Sequence, residues 1–159
     1  MRLCGALRPC GHDKIRDQII GSEMEQESAM YSDTTRAIRV TVEPRYLPDQ
    51  SQPAEGHYVW AYHVRIENLG PETVRLRTRH WKITDALGRL MEVRGPGVVG
   101  EQPLLRPGEY FTYTSGTPLS TPSGIMVGSY GMESEAGESF DIAIPAFSLD
   151  SPHQKRQLN

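Results

Sequence analysis

From Arg36 onward the apolar residues of this chain fall on every second position, the spacing that sets one face of a strand against a core and the other in water. Ile38, Val40 and Val42 alternate with Arg39, Thr41 and Glu43. His57 to Glu67 repeats the pattern, with Trp60, Tyr62, Val64 and Ile66 on one face and Val59, Ala61, His63 and Arg65 on the other. After Asn68-Leu69-Gly70-Pro71-Glu72, whose glycine and proline suit a tight connection, Val74, Leu76 and Thr78 alternate with Arg75, Arg77 and Arg79. These two runs are expected to form a hairpin. Matching their apolar faces sets Ile66 opposite Val74 or Leu76, His63 opposite Arg77 or Arg79, and Arg65 opposite Arg75 or Arg77.

Past Arg79 the large apolar residues become Trp81 and Ile83, so the parity slips by one and a bulge or bend is predicted near Arg79-His80. Asp85-Ala86-Leu87-Gly88 reads as a turn into the short strand Arg89 to Val93, and Arg106-Pro107-Gly108-Glu109 suits a type II turn before the strand Tyr110 to Thr114. Ser115 to Gly124, with Pro118 and Pro122, reads as an irregular connection to a strand at Ile125 to Met132. Ala136-Gly137-Glu138 turns the chain again, and Phe140, Ile142 and Ile144 form the last strand before Pro145. About seven strands with no convincing helix after Ser32 predict an all-β sandwich of the immunoglobulin or fibronectin type III kind. Tyr58, Trp60, Tyr62 and Trp81 are read as core aromatics before contact residues. Residues 1–30 are read as a flexible N-terminal extension with room for a short helix at Lys14 to Ile20, 31–149 as the sandwich, and 150–159 as a polar tail.

Composition narrows the function. A chain of 159 residues can bury a core without disulfides or metal, and a net charge of -3 argues against general nucleic-acid binding, which needs excess Lys and Arg. No apolar run is long enough to span a membrane, and no signal peptide is seen, so a cytoplasmic location is expected; Met24 and Met30 are alternative starts. Both cysteines, Cys4 and Cys10, lie in the first ten residues. With His12 they resemble part of a zinc site, but the fourth ligand is missing and a tail is the better reading.

The run Arg94 to Pro103, RGPGVVGEQP, matches GxGxxG at Gly95, Gly97 and Gly100. A dinucleotide fold needs a helix after these glycines and an acidic residue about 20 positions on. Pro103, Pro107 and Gly108 oppose the helix, and Ser120-Thr121 stands where the acid belongs, so a Rossmann reading is rejected. Two readings stay open. The loop's amides, with Arg94, could bind phosphate, pyrophosphate or a nucleotide, or the loop could simply join two strands. Arg75, Arg77 and Arg79 form a second candidate: a cationic stripe that solvent, an acidic protein partner or an anion would screen.

For a metal, His57 and His63 share a strand face but stand about 20 Å apart at strand rise, while His80 and Asp85 could meet at the bend yet make only two ligands. No catalytic residues are assigned, since no GxSxG elbow or paired-acid motif places the Ser, His and Asp present.

The strings VEPRYL (Val42 to Leu47), RHWKITDALGR (Arg79 to Arg89), EVRGPGVVGEQPLLRPGEYFTYTSG (Glu92 to Gly116) and GSYGM (Gly128 to Met132) resemble the ApaG family over roughly Tyr31 to Leu149. The resemblance implies a fibronectin-like sandwich, an association of bacterial members with cobalt resistance and magnesium efflux, and kinship with protein-binding domains of eukaryotic F-box and polymerase-interacting proteins. It brings no established catalytic residues. The segment before Tyr31 has no counterpart in it, and Pro96 departs from the family pattern, removing one amide donor from the glycine loop. The expected function is therefore a non-enzymatic binding domain without a cofactor, partnered by another protein. A small-anion module at Arg94, Gly95, Gly97 and Gly100 is the alternative.

Overall fold

The computed structural model describes residues 29–154. Cys4, Cys10, His12, the Lys14 to Ile20 segment and Met24 lie outside them. Nine strands follow in order: β1 (Tyr31–Thr35), β2 (Ile38–Tyr46), β3 (Tyr58–Asn68), β4 (Val74–Asp85), β5 (Leu90–Pro96), β6 (Leu104–Leu105), β7 (Tyr110–Leu119), β8 (Ser123–Ser134) and β9 (Ser139–Asp150). They form two antiparallel sheets, β1-β2-β3-β7 and β5-β4-β8-β9, with the two-residue β6 beside β4. Among the described residues there is no α-helix, and the fold is the expected all-β sandwich.

The alternating apolar faces meet between the sheets. Trp60, Val64, Ile66, Leu76, Met126, Tyr130, Ile142 and Phe147 are buried, and Trp81 packs edge-on against Tyr62, Tyr130 and Phe147. Each large apolar side chain withdrawn in this way contributes about 2 to 3 kcal/mol. Trp60, Tyr62 and Trp81 are core, as read from the sequence; Tyr58 packs against the core from a half-buried position.

Several expectations are corrected. β3 and β4 do not form a hairpin: β3 lies between β2 and β7, and β4 lies between β5 and β8 in the other sheet. Apolar faces can oppose one another across a core as well as along one ladder, and periodicity does not tell the two apart. Asn68 fixes the crossover, its amide donating to the carbonyls of Glu72 and Leu105 and accepting from the Gly70 N–H. His63 and Arg65 therefore face Thr114 and Thr112, and Arg75, Arg77 and Arg79 lie in the opposite sheet. The parity slip is real but sits between Leu76 and Thr78.

Prolines misled the strand ends. β7 runs through Pro118, and β9 runs through Pro145 to Asp150. Hydrogen bonds alternate along an antiparallel ladder, and the Asn68 amide donates to Glu109, so the Pro118 nitrogen faces away from β3 at the sheet edge. Pro145 falls in a bulge opposite Val127. The polar tail begins later than Asp150: the Trp60 indole donates to the Asp150 carbonyl, and Ser151 is buried with its hydroxyl on the Pro122 carbonyl.

The candidate site: a glycine loop braced by three arginines

The bulge at Arg77 is where the β4 edge passes from β6 to β5, and residues 97–103 cover the gap. The loop is tied to the bulge by the Gly97 N–H on the Arg77 carbonyl (2.8 Å), the Gln102 side-chain amide on the same carbonyl (3.0 Å), and the Leu76 N–H on the Pro103 carbonyl (3.0 Å). Val98 and Glu101 exchange both backbone hydrogen bonds around Val99-Gly100, whose φ values of 44° and 80° give the double positive sign of a type I′ turn.

One glycine of the motif is required by space and a second is crowded by a side chain. A Cβ on Gly97, at φ 62°, would stand 2.3 Å from the Glu101 carbonyl oxygen. A Cβ on Gly95 would lie about 3.0 to 3.1 Å from the Arg79 guanidinium, which crosses that position. Gly100 needs only its left-handed angle, with open space around it.

The stripe Arg75, Arg77 and Arg79 converges on this loop. Arg75 donates to the Gln102 carbonyl, Arg77 to the Gln102 side-chain oxygen and to Glu133, and Arg79 to the carbonyls of Pro96 and Gly97, each at 2.9 Å. Sequence reasoning treated loop and stripe as separate candidates; the fold joins them, with the arginines supplying donors to the loop's carbonyls. The amides of Gly97, Val98 and Glu101 are engaged inside the chain, leaving those of Val99 and Gly100 at the tip. Arg94 stands exposed on the outer face of β5 opposite His80, with no hydrogen bond or ion pair among the described residues.

Behind Arg79 lie three tyrosines. The hydroxyls of Tyr113 and Tyr130 hydrogen-bond to each other in the core. Burial raises both phenols well above the ordinary range, and burial also raises Tyr62, against the opposing effects of its bond to Ser115 and of the Arg79 charge.

The remaining expectations fall apart in space. Asp85 does not meet His80: it binds Arg89 and the Leu87 and Arg89 amides, and these bonds outweigh burial to lower its pKa. His80 Nε2 is buried, 3.4 Å from Glu92 in a geometry that makes no hydrogen bond. Among the described residues no group of three or more His, Cys, Asp or Glu side chains could hold a metal ion, and no helix is long and apolar enough to cross a membrane.

Two features had no signal in the sequence. The β1–β2 turn holds Arg36 and Ala37 at φ 49° and 61°, unusual for residues with a Cβ. Arg36 grips Glu138 with both terminal nitrogens, lies 4.0 Å over the Phe140 ring, and lines a shallow cavity of about 260 Å³ with Ile38, Asn68, Pro71 and Glu72. The second is the outer face of the second sheet. Rows across its strands run Leu90-Thr84-Ile125 and Glu92-Lys82-Val127, and Leu90, Ile125 and Val127 are 59%, 54% and 37% exposed.

Residues 48–134 match the model of the ApaG domain family. The chain is 72% identical over 130 residues to the protein ApaG of Rhodospirillum centenum and 71% identical over 130 residues to that of Parvibaculum lavamentivorans, in each case covering 82% of this chain and all of the relative. The crystal structure of the putative ApaA protein from Bordetella pertussis superposes with a TM-score of 0.71 at 50% identity, covering 77% of this chain and 97% of that one.

Proposed function

The chain belongs to the ApaG domain family, and from that premise we propose that it is a non-catalytic, cytoplasmic binding domain whose ligand is another protein, with any bearing on Co²⁺ and Mg²⁺ efflux exerted through that partner. The observation that carries this reading is the exposed pair Ile125 and Val127 on β8, with Leu90 beyond Thr84 in the same face and Lys82 and Arg94 supplying positive charge within it. Exposed apolar side chains set among charged ones are a composition that docking surfaces use. Arg75, Arg77 and Arg79 enter as braces that hold the adjoining loop, and Arg94 is the arginine free to meet an acidic partner.

The small-anion reading rests on less. Of the loop's amides it retains those of Val99 and Gly100, with Arg94 on the neighbouring strand, because the Gly97 amide is held by Arg77.

Co-purification from cells separates the two. Val127→Glu and Ile125→Glu should abolish capture of the partner while leaving thermal unfolding nearly unchanged, and the variant that loses the partner should reproduce the metal sensitivity of cells lacking the protein. Partner capture indifferent to both substitutions, with saturable pyrophosphate or ATP shifts at the Val99 and Gly100 amides, would replace the protein-binding reading with the anion one.

A further inference from the structure

We propose that the chain associates with a second copy of itself through β5, as an antiparallel pairing centred on Val93. It shares Leu90 and Arg94 with the reading above, and its test uses different substitutions, so the two can fail separately. β5 is the terminal strand of its sheet. The Gly97 N–H bonds to β4, as does the Arg89 carbonyl, so the odd-numbered residues between them point inward and the backbone groups of Leu90, Glu92 and Arg94 point out. Pro96, next in that series, has no N–H to offer and ends the edge.

Registers of a two-fold pairing can be compared by charge. Centred on Glu92, two carboxylates face each other; centred on Arg94, two guanidiniums do; centred on Met91, Glu92 faces Leu90. Centred on Val93, Arg94 faces Glu92 of the second copy, and the symmetry repeats the pair in reverse. Arg94 has no hydrogen-bond or ion-pair partner among the described residues, and Glu92, 3.4 Å from His80 Nε2 without a hydrogen bond, keeps its side chain 42% exposed.

The same register sets Leu90 beside Pro96 of the second copy. Beyond the ladder it brings the Asp85–Gly88 turn of one copy to the Val98–Glu101 turn of the other. Those turns carry Leu87 and Val99, 72% and 56% exposed, which would cover one another. Of the other terminal strands, β1 and β9 lie beside each other, and β7 turns Tyr110, Thr112, Thr114 and Gly116 outward and has no charges to reciprocate.

So short a ladder buries little area, and a concentration-dependent dimer with a Kd of about 100 µM is expected. Sedimentation of the full chain up to about 1 mM tests it. Arg94→Glu and Glu92→Arg should each weaken association at least about tenfold, and an equimolar mixture of the two variants should recover it, because the opposite charges then meet across copies. Amide exchange at Leu90, Glu92 and Arg94 should slow as concentration rises. A monomer throughout that range, association indifferent to either substitution, or no recovery on mixing would overturn the proposal; unchanged thermal unfolding of each variant excludes misfolding as the cause.

Discussion

Among the described residues, the two turns with positive φ at both central positions make an instructive pair. The Val98–Glu101 turn sits in a segment so rich in glycine that it imitates a phosphate loop, whereas the β1–β2 turn at Arg36-Ala37 contains no glycine at all. Both have positive φ at both central positions. The conformations of Arg36 and Ala37 are supported by contacts: Glu138 forks Arg36, Phe140 lies beneath it, and the Ala37 carbonyl accepts the Leu69 N–H at 2.8 Å. Val99 has no comparable support. Glycine content thus tracks where a backbone lacks room or side-chain help, and it is a poor guide to ligands.

The largest effect should come from Gly97→Ala, because the new methyl would meet backbone at Glu101 as well as an unfavourable φ. A loss of about 3 kcal/mol or more is expected by chemical denaturation, against about 1 kcal/mol for Gly100→Ala, which has open space. Equal losses would remove the distinction between crowding and conformation. Next is Arg79→Ala, which strips donors from the Pro96 and Gly97 carbonyls and should cost about 2 kcal/mol, with slower-exchanging amides in the loop becoming fast.

Acid and alkali should then divide the molecule. The Arg36 hydrogen bond lowers the Glu138 pKa, so its contribution is present above the ordinary carboxylate range and lost as pH falls through it. Burial raises Tyr62, Tyr113 and Tyr130, so their contribution is intact below the ordinary phenol pKa and lost as pH climbs beyond it. Denaturation midpoints across pH should show Arg36→Ala flattening the acid limb and leaving the alkaline one. An unchanged acid limb would mean that Glu138 adds nothing to the turn.

Much of this was legible in the chain. Period-two alternation located the long strands and their buried faces, and Pro107-Gly108 marked its turn, Gly108 adopting φ 85° with the Glu109 N–H on the Arg106 carbonyl. β1 was illegible because Ser32-Asp33-Thr34 carries no apolar face; it is held by backbone pairing to β2 and lies beside β9. The join between glycine loop and arginine stripe was illegible for a different reason. It depends on β4 changing partners at a bulge, and a parity slip marks that a strand is irregular without saying what fills the gap.

Val99→Asn should give the smallest change and the sharpest test of the comparison. It creates Asn-Gly at the two central positions of a type I′ turn, the pair that adopts this geometry with least strain. Replacing a branched residue at φ 44° should therefore stabilise the monomer by about 1 kcal/mol, a rise of about 4 °C in Tm at low concentration. A destabilised variant would show that Val99 is supported after all. If Val99 also packs on Leu87 of a second copy, the same substitution weakens self-association while it strengthens the fold. Opposite signs in the two measurements would identify the strain at Val99 as the cost of displaying an apolar side chain at the tip of the loop; equal signs would assign the valine to the fold alone.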